Sequence, residues 1–140
     1  YEEYGYEFGT AGGRLDNLAR DLPLIKDRLG KLNPAPVGPL PIMIGGGGEK
    51  KTLRLVAEYA DTWHYFWNPE SFPHKSAVLD EWCAKVGRDP ATIRRSAGVE
   101  WSKREPGDDL AHLDEVTLGL NGPDFDLAPI QDWLDWRDSD

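Results

Sequence analysis

The apolar run Leu40-Pro41-Ile42-Met43-Ile44 leads directly into four glycines, Gly45 to Gly48, and Glu49-Lys50-Lys51-Thr52 then opens an amphipathic segment. A run of glycines is costly, because glycine loses more backbone freedom on folding than any other residue. The order strand, glycine turn, helix start restricts this stretch to a βα unit. There the bare backbone can approach a ligand, and the free N–H groups of a helix start present partial positive charge to an anion. A flexible βα turn would explain the glycines too. Their position between a buried strand and a helix favours phosphate binding. The nucleoside-triphosphate loop does not match: counted from Gly45, its second glycine would fall on Lys50.

The rest of the chain repeats the βα theme. Leu15, Leu18, Leu22, Ile25 and Leu29 recur at spacings of three and four, which predicts a helix from Arg14 that Pro23 should kink or divide. Residues 33–41 form a proline-rich extended linker. Strands are expected at 41–45, 61–66, 95–101 and 115–120. Leu53, Val56, Ala57 and Ala60 line one face of a helix between the first two. A second helix spans His74 to Val86, and Asp89-Pro90 offers an N-cap with proline at the first helical position. A short polar connector of about two helical turns precedes the fourth strand. Gly122-Pro123 marks a turn, and 127–137 a closing helix. Strands alternating with helices imply an α/β fold with a parallel sheet and right-handed crossovers. Four strands suit a small doubly wound sheet or half of a (β/α)8 barrel, which needs about 250 residues. Residues 1–39 read as a helix with its linker and 40–140 as four βα units, together one partial barrel domain.

Composition narrows the partners. The net charge is −9 over 140 residues, and no basic run exceeds two. Nucleic acids and anionic membranes both want a basic face. No apolar stretch approaches the roughly 20 residues that span a bilayer, and no secretory leader is read at the start. Cys83 is the one cysteine, so no disulfide framework forms within the chain, and a lone thiol fits a reducing cytoplasm. The chain opens on Tyr1 in mid-pattern and is expected to be part of a longer protein.

Other candidates are weaker. Trp63-His64-Tyr65-Phe66-Trp67-Asn68 lies towards the C-terminal end of the second strand, the edge where parallel α/β proteins build their sites, and aromatics there could wall a flat ring. The plainer expectation places Trp63 and Phe66 in the core and makes His64 an ordinary satisfied histidine. His74 and Lys75 open a helix, where the dipole gives a cation no help, and are expected at the surface. His112 is expected to be exposed. No cluster has metal-ligand spacing, and no serine nucleophile elbow is present. Asn121-Gly122-Pro123-Asp124 follows the fourth strand at the same edge and is explained by a turn.

Several of these segments together are familiar: Arg14 to Leu32, Pro41 to Leu53 around the glycine run, Tyr59-Ala60-Asp61-Thr62-Trp63-His64, Gly87-Arg88-Asp89-Pro90 and Trp136-Arg137-Asp138. They resemble the luciferase-like monooxygenase class of flavin and deazaflavin oxidoreductases, and most closely its coenzyme F420-dependent branch. The resemblance covers nearly the whole chain and is most specific over 40–64. It implies a partial TIM (β/α)8 barrel, the C-terminal half from the helix after strand four through strand eight. It implies a small-molecule substrate, hydride transfer on F420, and FMN-dependent oxygenation in the alternative branch. It places the cofactor phosphate on the N–H groups of Gly45, Gly46, Gly47 and Gly48, with a hydroxyl from Thr52 and charge from Lys51 or Lys50. A non-catalytic fragment that keeps the phosphate loop is the reading from another class. Strands one to four would carry most of the ring pocket and the acid/base groups, so no catalytic residue is assigned.

Four parallel strands that do not close leave two edges and one uncovered face. Ile42, Ile44 and Trp63 are expected on that face, short of full burial. The isolated chain is therefore expected to be marginal, to self-associate, or to need the missing half-barrel.

Overall fold

Hydrogen-bonding side chains at the strand starts set the sheet. In the computed structural model, which describes residues 1, 3–103, 105–119 and 126–139, two aspartates play the same part. Asp61 precedes strand β2 (Thr62–Phe66), and its Oδ2 accepts the Ile42 N–H at 2.8 Å, while its own N–H donates back to the Ile42 carbonyl. Asp114 precedes β4 (Glu115–Leu118) and does the same to Arg95 of β3 (Arg94–Val99). With β1 (Met43–Gly45) these strands form one sheet in the order β1-β2-β3-β4, every pair parallel. Sequential order without reversal puts the connecting helices on one face, as in part of a barrel.

Helix α1 (Ala11–Leu29) begins three residues before Arg14, because the Thr10 hydroxyl accepts the Gly13 N–H at 3.0 Å. Pro23 does not divide it: the helix is one continuous element. Helix α2 spans Thr52–Tyr59. Helix α3 spans Ser71–Val86 rather than starting at His74. Asn68 Oδ1 accepts the N–H groups of Glu70 and Ser71, and Pro73 falls in the first turn, where its missing N–H costs nothing. Gly87 stops α3 in the left-handed region at φ 72°, with Arg88 N–H closing back on the Cys83 carbonyl. Asp89-Pro90 starts a single 3-10 turn, Pro90–Thr92, in which Asp89 caps the Ala91 N–H. The connector before β4 holds two more such turns, Trp101–Lys103 and Asp108–Leu110. Helix α4 spans Ala128–Arg137. The predicted end of the fourth strand at Leu120 and the turn at 121–124 lie outside the described residues.

Alternation along the strands separates two faces. Ile44, Trp63 and Ala97 are buried on the face that α1, α2 and α3 cover, and Val99 of the same face is buried against Leu110 and against Trp133 of α4. Leu22 of α1, Leu53 and Val56 of α2, and Phe72, Leu79 and Cys83 of α3 complete that core. The expectation that Ile42, Ile44 and Trp63 line the uncovered face is therefore corrected, Ile42 packing partly buried against the same helix-layer core as Ile44 and Trp63. Ile44 and Trp63 sit one register step away from the uncovered face, and Trp63 is fully buried. The uncovered face carries Met43, Phe66, His64, Ser96 and Glu115 instead, with Phe66 75% exposed and so not in the core. Among the described residues, no helix is long and apolar enough to cross a membrane.

Candidate functional site

The glycine turn leaves β1 at its C-terminal end, where parallel α/β proteins build sites. Its first residue is clamped to β2. The Gly46 N–H donates to the His64 carbonyl at 3.0 Å, and the Trp63 indole N–H donates to the Gly46 carbonyl at 2.8 Å. Gly46 itself has φ 119°, a conformation that side chains disfavour. The next two glycines are needed by their neighbours. A Cβ at Gly47 would lie 2.6 Å from the Tyr65 ring and 2.7 Å from the Lys75 stem. One at Gly48 would lie 2.7 Å from Thr52 Oγ1. Close packing from below thus accounts for the glycines, and the result is a bare backbone above. The N–H groups of Gly47, Gly48, Glu49 and Lys50 have no acceptor among the described residues.

Charge around the turn is arranged in pairs. Lys75 Nζ donates to Glu49 Oε1 at 3.0 Å, and His74 Nε2 lies 3.1 Å from the same oxygen. The Lys75 ammonium, ahead of His74, holds the Glu49 carboxyl below the ordinary glutamate range. The Trp82 indole N–H donates to the Glu49 carbonyl, so α3 holds the turn from one side. Lys51 reaches away from the turn to Asp16 on α1. Lys50 has no ion pair among the described residues. An open cleft of about 480 Å³ lies between Leu15 and this turn, lined by Gly47, Gly48, Glu49, Lys50, Lys51 and Lys75.

The structure therefore brings Gly45, Gly46, Gly47, Gly48 and Thr52 together as one turn, with Thr52 buried beneath it. Lys51 flanks the cleft while its ammonium is engaged by Asp16. A phosphate fits this arrangement through the backbone donors and Lys50, because the uncovered N–H groups need an acceptor and an anion supplies one. The aromatic segment divides by face. Trp63 and Tyr65 pack against Phe72 in the helix layer, with ring centroids 4.8 and 6.5 Å away, and Phe66 lies on the open face.

Sequence reasoning missed one cluster. His64 Nδ1 lies 2.9 Å from Ser96 Oγ, and Ser96 Oγ donates to Glu115 Oε1 at 2.7 Å. Arg94 stands 3.8 Å from the other Glu115 oxygen. Sequence alternation could have placed these residues on one face, but only the strand register sets them side by side. Among the described residues, no group of three His, Cys, Asp or Glu could hold a metal ion. The larger cavity, about 640 Å³, lies between β4 and α4 against Val116, Leu118, Trp133 and Trp136, away from the glycine turn. No protein-family model matches the chain, and no curated protein is significantly similar to it.

Proposed function

We propose that this chain is the C-terminal half of an F420-dependent oxidoreductase of the luciferase-like class, and that its glycine turn holds the cofactor phosphate. The observation that carries this reading is the exposed backbone at the C-terminal end of β1, with four successive N–H groups lacking acceptors among the described residues. When bound, F420 supplies hydride transfer at its ring carbon. This chain's own residues anchor and orient. The N–H groups of Gly47 and Gly48 donate to phosphate oxygens, and Lys50 adds a charge that no carboxylate among the described residues holds. Lys51 contributes only by leaving Asp16. Trp63 fixes the direction of the turn through its bond to Gly46. The substrate is a small molecule, the ring pocket belongs to the companion half-barrel, and the lone buried Cys83 suits a reducing cytoplasm.

The test is a titration of the full chain with F420, FMN and inorganic phosphate, following cofactor fluorescence and the amide resonances of Gly45 to Gly48. F420 is expected to quench and to move the Gly47 and Gly48 amides, and Lys50→Ala to weaken binding roughly three- to tenfold, the range of one charge-assisted contact. Preference for FMN would transfer the anchor to the oxygenase branch. If neither cofactor moves these amides below about 1 mM, a free energy of about −4 kcal/mol, the reading fails.

A further inference from the structure

The uncovered face of the sheet carries a polar array that crosses three strands. His64 of β2, Ser96 of β3 and Glu115 of β4 are direct register partners. Ser96, between the other two, is fully buried. Its hydroxyl has one proton, and that proton is directed to Glu115. Towards His64, therefore, Ser96 Oγ can only accept, and His64 Nδ1 must carry the hydrogen. This leaves the lone pair of the neutral ring on Nε2, and no described residue bonds to that nitrogen. The ring lies along β3, with Nδ1 at Ser96 and Nε2 over Gly98, where an added Cβ would come within 3.3 Å of it. Nε2 is thus turned towards the C-terminal end of the sheet, the end from which the glycine turn also leaves. The Phe66 ring stands edge-on to the imidazole at 6.3 Å. The charged groups that neighbouring strands place on this face are Glu115 and Arg94.

We propose that His64 is a proton-accepting catalytic residue for a hydroxyl-bearing ligand at this sheet edge, with Ser96 and Glu115 as its positioning residues. The ligand O–H bond breaks, an N–H bond forms at Nε2, and the electron pair stays on the ligand oxygen. Nδ1 keeps its hydrogen, Ser96 keeps its own, and the imidazolium charge is met by the Glu115 carboxylate through the serine hydroxyl. No electron leaves or enters. The array stands on β2, β3 and β4 and goes beyond the cofactor reading, which rests on the glycine turn.

The tautomer gives the test, because a free imidazole prefers its hydrogen on Nε2, whereas this array requires Nδ1–H. Long-range proton–nitrogen spectra of the full chain, without cofactor, resolve the three histidines, and His64→Gln assigns the signal. The neutral His64 ring is expected as Nδ1–H, and Ser96→Ala is expected to return it towards Nε2–H. A wild-type His64 in the Nε2–H form overturns the proposal without any variant having to fold. Carbethoxylation by diethylpyrocarbonate, located by mass spectrometry, reads access to Nε2. Modification of His64 is expected, and a His64 that stays unmodified while His74 and His112 react overturns the proposal as well.

Discussion

Glu49 shows how a single side chain can be set by its partners rather than by its neighbours in sequence. It follows four glycines in a turn, yet its carboxylate is held by Lys75 and His74 of α3, and its carbonyl by Trp82. The carboxyl titrates below the ordinary glutamate range in the folded chain, with the Lys75 hydrogen bond as the largest cause. A lowered folded value means that the stabilising contribution is present above the unfolded value and disappears as the pH falls through the folded one. Glu49→Gln is therefore expected to lower the urea midpoint at neutral pH, and to differ less from wild type under acid or high salt, since the pair is exposed and screened. A midpoint difference that stays constant across pH would remove the pair from the account. The glycines around Glu49 were legible as a turn because each residue type carries its backbone preference with it. The engagement of Lys51 by Asp16 was not, because its partner lies 35 residues away on another helix.

Helix boundaries depend on a few capping groups, and here they moved the predicted ends by several residues. Thr10 starts α1 before the periodic leucines begin, and Asn68 starts α3 before its proline. Thr10 is the N-cap of α1, and Asn68 stands two residues before Glu70, the N-cap of α3; neither is a signal that periodicity alone weighs. The opposite end of α3 was readable, since Gly87 in the left-handed region is a common way to stop a helix. A paired substitution checks this reasoning. Gly87→Ala should lose about 1 kcal/mol, because an alanine is strained at φ 72°. Gly12→Ala, in the first turn of α1 with open space around it, should gain about 0.5 kcal/mol by limiting the unfolded chain. Equal effects at the two sites, read from chemical denaturation, would contradict the assignment. The paired aspartates, Asp61 and Asp114, belong to the same level: each starts a strand by clamping the previous one.

The sheet as a whole is covered on one side. Its first and last strands, β1 and β4, each have one partner among the described residues, and Met43 and Phe66 stand 53% and 75% exposed on the open face. Unpaired parallel edges, and the exposed Met43 and Phe66 side chains among the polar groups of the open face, favour association with another copy or with a companion half-barrel. The chain alone is expected to show a concentration-dependent sedimentation coefficient and melting temperature, both reduced in dependence by Phe66→Lys. A monomer with a sharp, concentration-independent transition would overturn that expectation. The burial of Ile44 and Trp63 limits how marginal the fold can be, because residues once expected on the open face instead anchor the helix layer. Each such side chain contributes about 1.5–3 kcal/mol when taken out of water.

The order of strands and helices, the βα position of the glycine turn and the end of α3 at Val86 were settled by the chain itself, because periodicity, proline and glycine act over a few adjacent residues. Which side of the sheet each strand residue occupies was settled only by folding. A shift of one position moves a side chain to the opposite face, and nothing local to a strand fixes that choice. The same holds for the array of His64, Ser96 and Glu115. Its members are separated by 32 and 19 residues in sequence and become neighbours only when three parallel strands take one register.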